Sequence, residues 1–421
     1  MAHAVQHGKT RLAGLSLALA LAGAAPLAAQ VTAPPAPPAQ EPLSFRAAMD
    51  LATTTNLELA AVRRARAIRE AEVRAAGQWA NPEFSAEATR DTPHGDIAVG
   101  YPVDIGGVRS RRIALAKEGL AMADVDEAAA LRDLRRNVRL AFYGLLAADE
   151  RLALAGSMLE LAERVKGVAQ ARFEEGAAPR LEVMEAELSL VRARAEVDLA
   201  RSARRATQAD LNALLNRPPG MTVTPAGEAS DAPELPTMDR AIAAALASNV
   251  DLRALDREAA IEDRQLNLLK AERIPTPMFT AGVALNAPGE FDVGAHGGVS
   301  LTIPLFSRNQ GEIAGSQARA GTIRARREAV QRRVEAAVFA ALERVTAQKA
   351  QVAAFRATLV PTAAAVQSLV EESYRLGRDS ILTTLVAQRA LRDVKTEYLE
   401  ALLALQSAVA DLEDIIGASI Q

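Results

Sequence analysis

The hydrophobic positions of this chain change period in a fixed order, and the order occurs twice. Residues 44–78 carry apolar side chains at helical spacing until Pro82, which disfavours the α conformation in the residue before it. The period then falls to two. Phe84, Ala86 and Ala88, followed by Ile97, Val99, Tyr101 and Val103, alternate with polar or small residues and predict strands at about 82–90 and 97–104. Residues 91–96, with Pro93 and Gly95, form the intervening hairpin loop. From 108 to 173 no proline interrupts the chain, and at ~1.5 Å per residue this predicts a helix on the order of 100 Å long. Within it Leu131, Leu134, Val138, Ala141, Leu145, Ala148, Leu152, Ala155, Leu159 and Ala162 keep a strict three-four spacing, which is a coiled-coil seam. Gly176 supplies a left-handed cap, and Pro179 stands where the return helix of a hairpin at about 107–216 can start.

The second half repeats this plan. A helical stretch at 239–273 stops before Pro277, and strands follow at about 277–286 and 291–305. In them Phe279, Ala281, Val283 and Leu285, then Phe291, Val293, Ala295, Val299, Leu301, Ile303 and Leu305, occupy alternate positions. A helical hairpin at about 309–416 turns at Gly377. Its return arm holds the seam Leu391, Val394, Tyr398, Ala401, Leu405, Ala408, Leu412 and Ile415. A second stripe there, Leu399, Leu402, Val409 and Ile416, predicts packing on two sides. Particular residues recur as well. Asn56-Leu57-Glu58-Leu59 returns as Asn249-Val250-Asp251-Leu252, Asn81-Pro82 as Thr276-Pro277, and Phe173 with Gly176 as Tyr374 with Gly377. The chain therefore divides into a first repeat at 43–220, a Pro/Gly-rich linker at 221–235 and a second repeat at 236–421.

The expected fold is mainly α with a small β part, built on a long coiled-coil helical barrel. Strands with one apolar and one polar face suit a wall between lipid and water. Four cannot close by themselves, since membrane barrels have at least eight, and a bilayer does not tolerate an open edge. The chain must therefore oligomerise, and a trimer would give a twelve-stranded membrane β-barrel.

Composition narrows the possibilities further. Aromatic residues make up only 3% and charged residues 24%, which suits long helices. With no cysteine there is no disulfide, no thiolate site and no lipidated N-terminal Cys. A net charge of -3 with interspersed signs gives no nucleic-acid footprint. Lys9 and Arg11, the apolar run 12–25 and Leu27-Ala28-Ala29 predict a signal peptide at 1–29 and hence export, with a Pro-rich tether at 30–42. No later segment is expected to cross a membrane as a helix. No nucleophile elbow, phosphate loop, zinc signature or dinucleotide motif is present, so neither catalysis nor a cofactor is expected. His3, His7, His94 and His296 are isolated and predict no metal site. Glu182, Glu185 and Glu187, on a helix with Arg192 and Arg194, read as a salt-laced surface.

The paired Asn56 and Asn249, the Asn81-Pro82 and Thr276-Pro277 pair, and the glycine breaks at Gly176 and Gly377 together resemble the TolC-type outer-membrane efflux protein family. The run Tyr101-Pro102-Val103-Asp104-Ile105-Gly106-Gly107-Val108-Arg109-Ser110-Arg111-Arg112 is similar to the proline, Gly-Gly and basic cluster of its heavy-metal (CzcC-like) branch. The resemblance covers essentially the whole mature chain. It implies a homotrimeric channel through outer-membrane lipid, with a helical tunnel in the periplasm that meets a periplasmic adaptor (membrane fusion) protein and an inner-membrane RND-type pump. The implied cargo is heavy-metal cations. Multidrug efflux, type I secretion and a soluble periplasmic coiled-coil adaptor are the alternatives. The adaptor-docking and tunnel-mouth tips would comprise Arg172, Gly176, Arg375, Gly377, Arg378 and Asp379. In such channels charged pairs near the second tip hold the mouth shut. Here Arg378 and Asp379 are available, while Thr383 and Val386 stand where acidic groups would help.

Overall fold

The computed structural model describes residues 42–287 and 289–420. The expected signal peptide, nearly all of the tether, His3 and His7 lie outside the described residues. The first repeat runs β1 (Leu43–Ser44), α1 (Phe45–Thr55), α2 (Leu57–Ala76), β2 (Glu83–Ala88), β3 (Gly95–Pro102), α3 (Val108–Glu174) and α4 (Arg180–Leu214). After β4 (Pro225–Ala226) in the connecting segment come α5 (Met238–Ser248), α6 (Val250–Ala271), β5 (Met278–Ala287), β6 (Phe291–Ser300), α7 (Gln310–Ala354), α8 (Val360–Arg375) and α9 (Ile381–Ile416). The 67 residues of α3 span about 100 Å. Its N-terminal part packs on α2 and its C-terminal part on α4, and the end of α4 meets the start of α2 at Asn56.

None of the ten seam positions of α3 is exposed, and Val138 and Leu145 are wholly buried. They join Leu211, Leu402, Leu405, Val409 and Leu412 in one core that unites the two repeats. Both stripes of α9 are covered because α9 lies between α3 and α7.

The helical openings are each broken into two helices, where the apolar period predicted one. Asn56 and Asn249 make the breaks. The Asn56 side-chain oxygen accepts from Leu59 N at 3.0 Å and caps α2, while its amide donates to Leu214 O at 3.1 Å and closes the end of α4. Asn249 does the same between α6 and α9, through Leu252 N at 3.1 Å and Ile415 O at 2.8 Å. One buried asparagine thus satisfies orphan groups at two helix ends. An apolar period carries no sign of this, because the hydrophobic face continues through the break.

Two further expectations are corrected. The run 310–376 is not one α-helix: a π-helical turn, Phe355–Leu359, separates α7 from α8. It precedes Pro361, which has no N–H to donate and displaces the carbonyl four residues earlier. This helical run also contains a stretch apolar enough, by length and composition, to cross a membrane, although it packs along α9. The last strand ends at Ser300 rather than near 305. Its partner β5 begins at Met278, opposite Ser300, so the alternating residues beyond have no ladder to join.

The four long strands form one antiparallel sheet in the order β2-β3-β5-β6, with the central β3–β5 pair joining the repeats. Register places Tyr101, Phe279 and Val299 side by side, then Phe84, Val99 and Ala281, then Ile97, Val283 and Ala295. That face is apolar and largely open. Because side chains alternate, the opposite face takes Ser85, Asp96, Ala98, Thr280, Gly282 and His296. A Cβ at Gly282 would meet the His296 ring at 2.8 Å and Ile97 O at 2.7 Å. The glycine leaves His296 room to approach Asp96, Nε2 to Oδ2 at 3.4 Å.

Candidate functional site

The two hairpin turns meet at one end of the helical body, and both are built alike. Gly176 N donates to Phe173 O at 3.0 Å and Ala177 N to Arg172 O at 2.8 Å. At the other turn Gly377 N donates to Tyr374 O at 3.0 Å and Arg378 N to Ser373 O at 2.9 Å. Both glycines are left-handed, with φ of 73° and 74°, and each pattern is a Schellman cap. Space around the two Cα atoms is open, so glycine is required by backbone geometry alone.

Behind the turns Val165, Ala169, Val183, Ala186 and Ile381 enclose Tyr374, which is 1% exposed. The Tyr374 hydroxyl donates to Glu182 Oε2 at 3.0 Å. The Arg172 guanidinium lies 4.8 Å from the Tyr374 ring centre, 3.9 Å from the same carboxylate, and donates to Tyr374 O at 3.4 Å. One tyrosine on α8 is therefore held by a carboxylate on α4 and a guanidinium on α3. Burial, reinforced by the Glu182 carboxylate, pushes the Tyr374 hydroxyl up to about 12, so it remains a neutral donor.

Of the tip residues singled out from sequence, Arg172 belongs to this clasp and the two glycines shape the turns. Arg375 pairs instead with Glu372 on its own helix, Nη2 to Oε1 at 2.8 Å. Arg378 and Asp379 form no ion pair among the described residues, and Thr383 and Val386 are exposed. The salt-laced reading of α4 is corrected at Glu182, which is largely enclosed and bonded to Tyr374, while Glu187 pairs with Lys166 and Arg194 with Glu163. Tyr374 was visible in sequence only as the counterpart of Phe173. Its hydroxyl, which Phe173 lacks, was the signal that it needs a buried acceptor.

Tyr374→Phe should loosen the tips by about 1 kcal/mol without affecting the distant core. Amide exchange should quicken at 170–182 and 374–384 only; unchanged protection there would remove the clasp assignment. In the wild-type protein the raised tyrosine pKa makes the clasp's contribution complete below about pH 10. It should decline as pH rises towards about 12.

Near the tips the single chain leaves apolar side chains uncovered. Leu181, Met184, Leu188 and Val191 make an exposed three-four stripe on α4, and Leu369, Leu382 and Val386 are exposed on α8 and α9. No other segment among the described residues covers this stripe. Among the described residues, no three or more His, Asp or Glu side chains converge as they would around a metal ion.

The family model described as outer membrane efflux protein matches residues 48–217 and 241–418. The chain belongs to the outer membrane efflux protein family. It is 26% identical over 400 residues to the cobalt-zinc-cadmium resistance protein CzcC of Cupriavidus metallidurans, covering 89% of this chain and 90% of that one. It is 27% identical over 303 residues to the nickel-cobalt-cadmium resistance protein NccC of Alcaligenes xylosoxydans xylosoxydans, covering 66% and 67%. Among solved structures, the open state of the Neisseria gonorrhoeae MtrE outer membrane channel superposes with a TM-score of 0.72 at 18% identity, covering 90% of this chain and 89% of that one. The fold is that of TolC-like channels, and the two family matches fall on the two sequence repeats. Members of this family are passive ducts rather than enzymes.

Proposed function

We propose that this protein is the outer-membrane exit duct of a tripartite efflux system, a homotrimer that spans the outer membrane and extends into the periplasm. The observation that carries this is the sheet. Both of its outer strands, β2 and β6, have an unpaired edge, and one face is apolar and open. In a bilayer those edges must be paired, and three copies would give twelve strands around a polar lumen lined by the Asp96–His296 face. The uncovered stripe on α4 supports the same assembly, since neighbouring copies would bury it. Export by the signal peptide at 1–29, ahead of the two repeats, fits this placement. Crosslinking in native outer membranes should stop at three subunits; a soluble monomer in the periplasm would overturn the proposal.

The cargo we infer is heavy-metal cations, supported by relatives named for cobalt, zinc, cadmium and nickel resistance. Deleting the gene should lower resistance to these ions and leave resistance to organic drugs unchanged; the opposite pattern would favour a multidrug duct. The tips, with Arg172, Gly176, Arg375, Gly377, Arg378 and Asp379, would meet a periplasmic adaptor and, through it, an inner-membrane RND-type pump. Replacing both Gly176 and Gly377 by Val places a side chain in the left-handed region at a cost of about 1–2 kcal/mol each. Trimer level should survive, because the sheet lies at the other end of helices about 100 Å long. Metal resistance should be lost. Normal trimer with full resistance would make these glycines dispensable caps.

A further inference from the structure

We propose that the helix-side rim of the sheet is a binding surface for an anionic phospholipid headgroup. The inference rests on the membrane placement proposed above. Four connections line up along this rim, 77–82, 103–107, 272–277 and 301–309, each leading between a helix and a strand. They expose Trp79, Ile105, Ile274, Leu305 and Phe306, and Phe306 is 92% exposed. These apolar side chains stand between the sheet and the helices. An indole and a phenyl ring at that level suit the boundary between acyl chains and headgroups.

The charges beside these rings are what name the ligand. Asp104 turns the chain at Gly107, φ 66°, by accepting from Val108 N at 2.9 Å and Arg109 N at 2.7 Å. Its carboxylate thereby satisfies the start of α3 and leaves Arg109, Arg111 and Arg112 within the first five residues of that helix. The helix dipole does not favour cations there. Arg109 donates to Gly77 O at 2.7 Å and lies 4.2 Å from the centre of the Trp79 ring. Arg111 turns back to Gly106 O at 2.6 Å, Arg112 reaches Gln78 O at 3.4 Å, and Arg308 donates to Pro304 O at 3.1 Å. All these acceptors are neutral carbonyls. Among the described residues no carboxylate lies within ion-pair distance of Arg109, Arg111, Arg112, Arg273 or Arg308, although Glu83, Asp104, Glu272 and Glu312 are in the same region and the Asp104 carboxylate feels the Arg112 charge.

The opposite end of the sheet has the reverse sign, with Asp91, Asp96, Glu290 and Asp292 against Arg90. On the side facing the helices, where the inner leaflet of the membrane would lie, those five arginines outnumber the four carboxylates Glu83, Asp104, Glu272 and Glu312. A phosphodiester beside Arg112, next to β2 and β3, and another beside Arg308, beyond β6 at the other edge, would each meet an exposed guanidinium, with acyl chains along the apolar sheet face. Three copies would repeat the surface around the barrel.

Trp79 is the only tryptophan in the chain and touches Arg109, so its fluorescence reports from the site itself. The purified full chain would be reconstituted in vesicles carrying brominated phosphatidylglycerol or brominated phosphatidylcholine at equal mole fraction. Phosphatidylglycerol should quench Trp79 preferentially, with an enrichment of roughly fivefold per engaged arginine. High salt and the pair Arg112→Gln and Arg308→Gln should bring the preference close to one. A preference unchanged in that variant would overturn the assignment to these arginines. Equal quenching by both lipids would overturn the headgroup proposal and leave the membrane placement standing. Absence of quenching by either lipid would overturn the placement, and this inference with it.

Discussion

Leu145→Asp should unfold the helical body at temperatures the wild-type protein tolerates. Leu145 is wholly buried at the middle of α3, among residues from both repeats. The substitution removes a leucine from a packed core and inserts a carboxylate with no cation to meet it. Truncation of a buried leucine alone costs about 2–5 kcal/mol, and an unpaired buried charge adds several more. The sum rivals the whole stability of an ordinary domain. Glu160→Ala, on the exposed side of the same helix, should change stability by less than about 0.5 kcal/mol. Melting curves for the two variants test the seam directly, and coincident transitions would refute it.

Glu413→Ala should be nearly as damaging, for a different reason. Glu413 holds Arg139 through two parallel bonds of 3.1 Å, and the two side chains are only 4% and 7% exposed. Arg139 also donates to Gln406 at 3.1 Å, and Gln406 donates to Ala229 O and Asp231 O in the connecting segment. Phe45 of α1 lies 4.6 Å beneath the guanidinium. The network thus ties α1, α3, α9 and the connection between the repeats at one point. Removing the carboxylate leaves a buried cation unpaired, at about 3–5 kcal/mol. The double variant Arg139→Met with Glu413→Leu should regain most of that loss, since it buries no charge. Urea unfolding of the single and double variants separates the cases. A double variant no better than Glu413→Ala would show that packing, and not the unpaired charge, sets the cost.

Neither member of this network was legible in the sequence. Arg139 and Glu413 are 274 positions apart, in different repeats, and each sits beside an apolar seam where a charge reads as a solvated flank. The clasp at the tips escaped for the same reason, because Glu182 and Tyr374 lie 192 positions apart. Asn56 and Asn249 were visible as a repeated element, yet their hold on the ends of α4 and α9 was not.

What the sequence determined by itself was everything governed by local periodicity. A change of period from helix to strand and back, proline stops, glycine turns and an uninterrupted seam are properties of neighbouring residues, so the long hairpins, the paired strands and the duplication could be recognised in the linear chain. Tertiary structure alone decided which polar groups are enclosed, because burial depends on what another segment brings. It placed β3 beside β5 and so gave the sheet one continuous apolar face. It set the end of β6 at Ser300, because a strand lasts only as long as its partner does. It turned scattered charges into a buried tie at Arg139 and a clasp at Tyr374, where hydrogen-bond geometry and desolvation, not spacing along the chain, fix the partners.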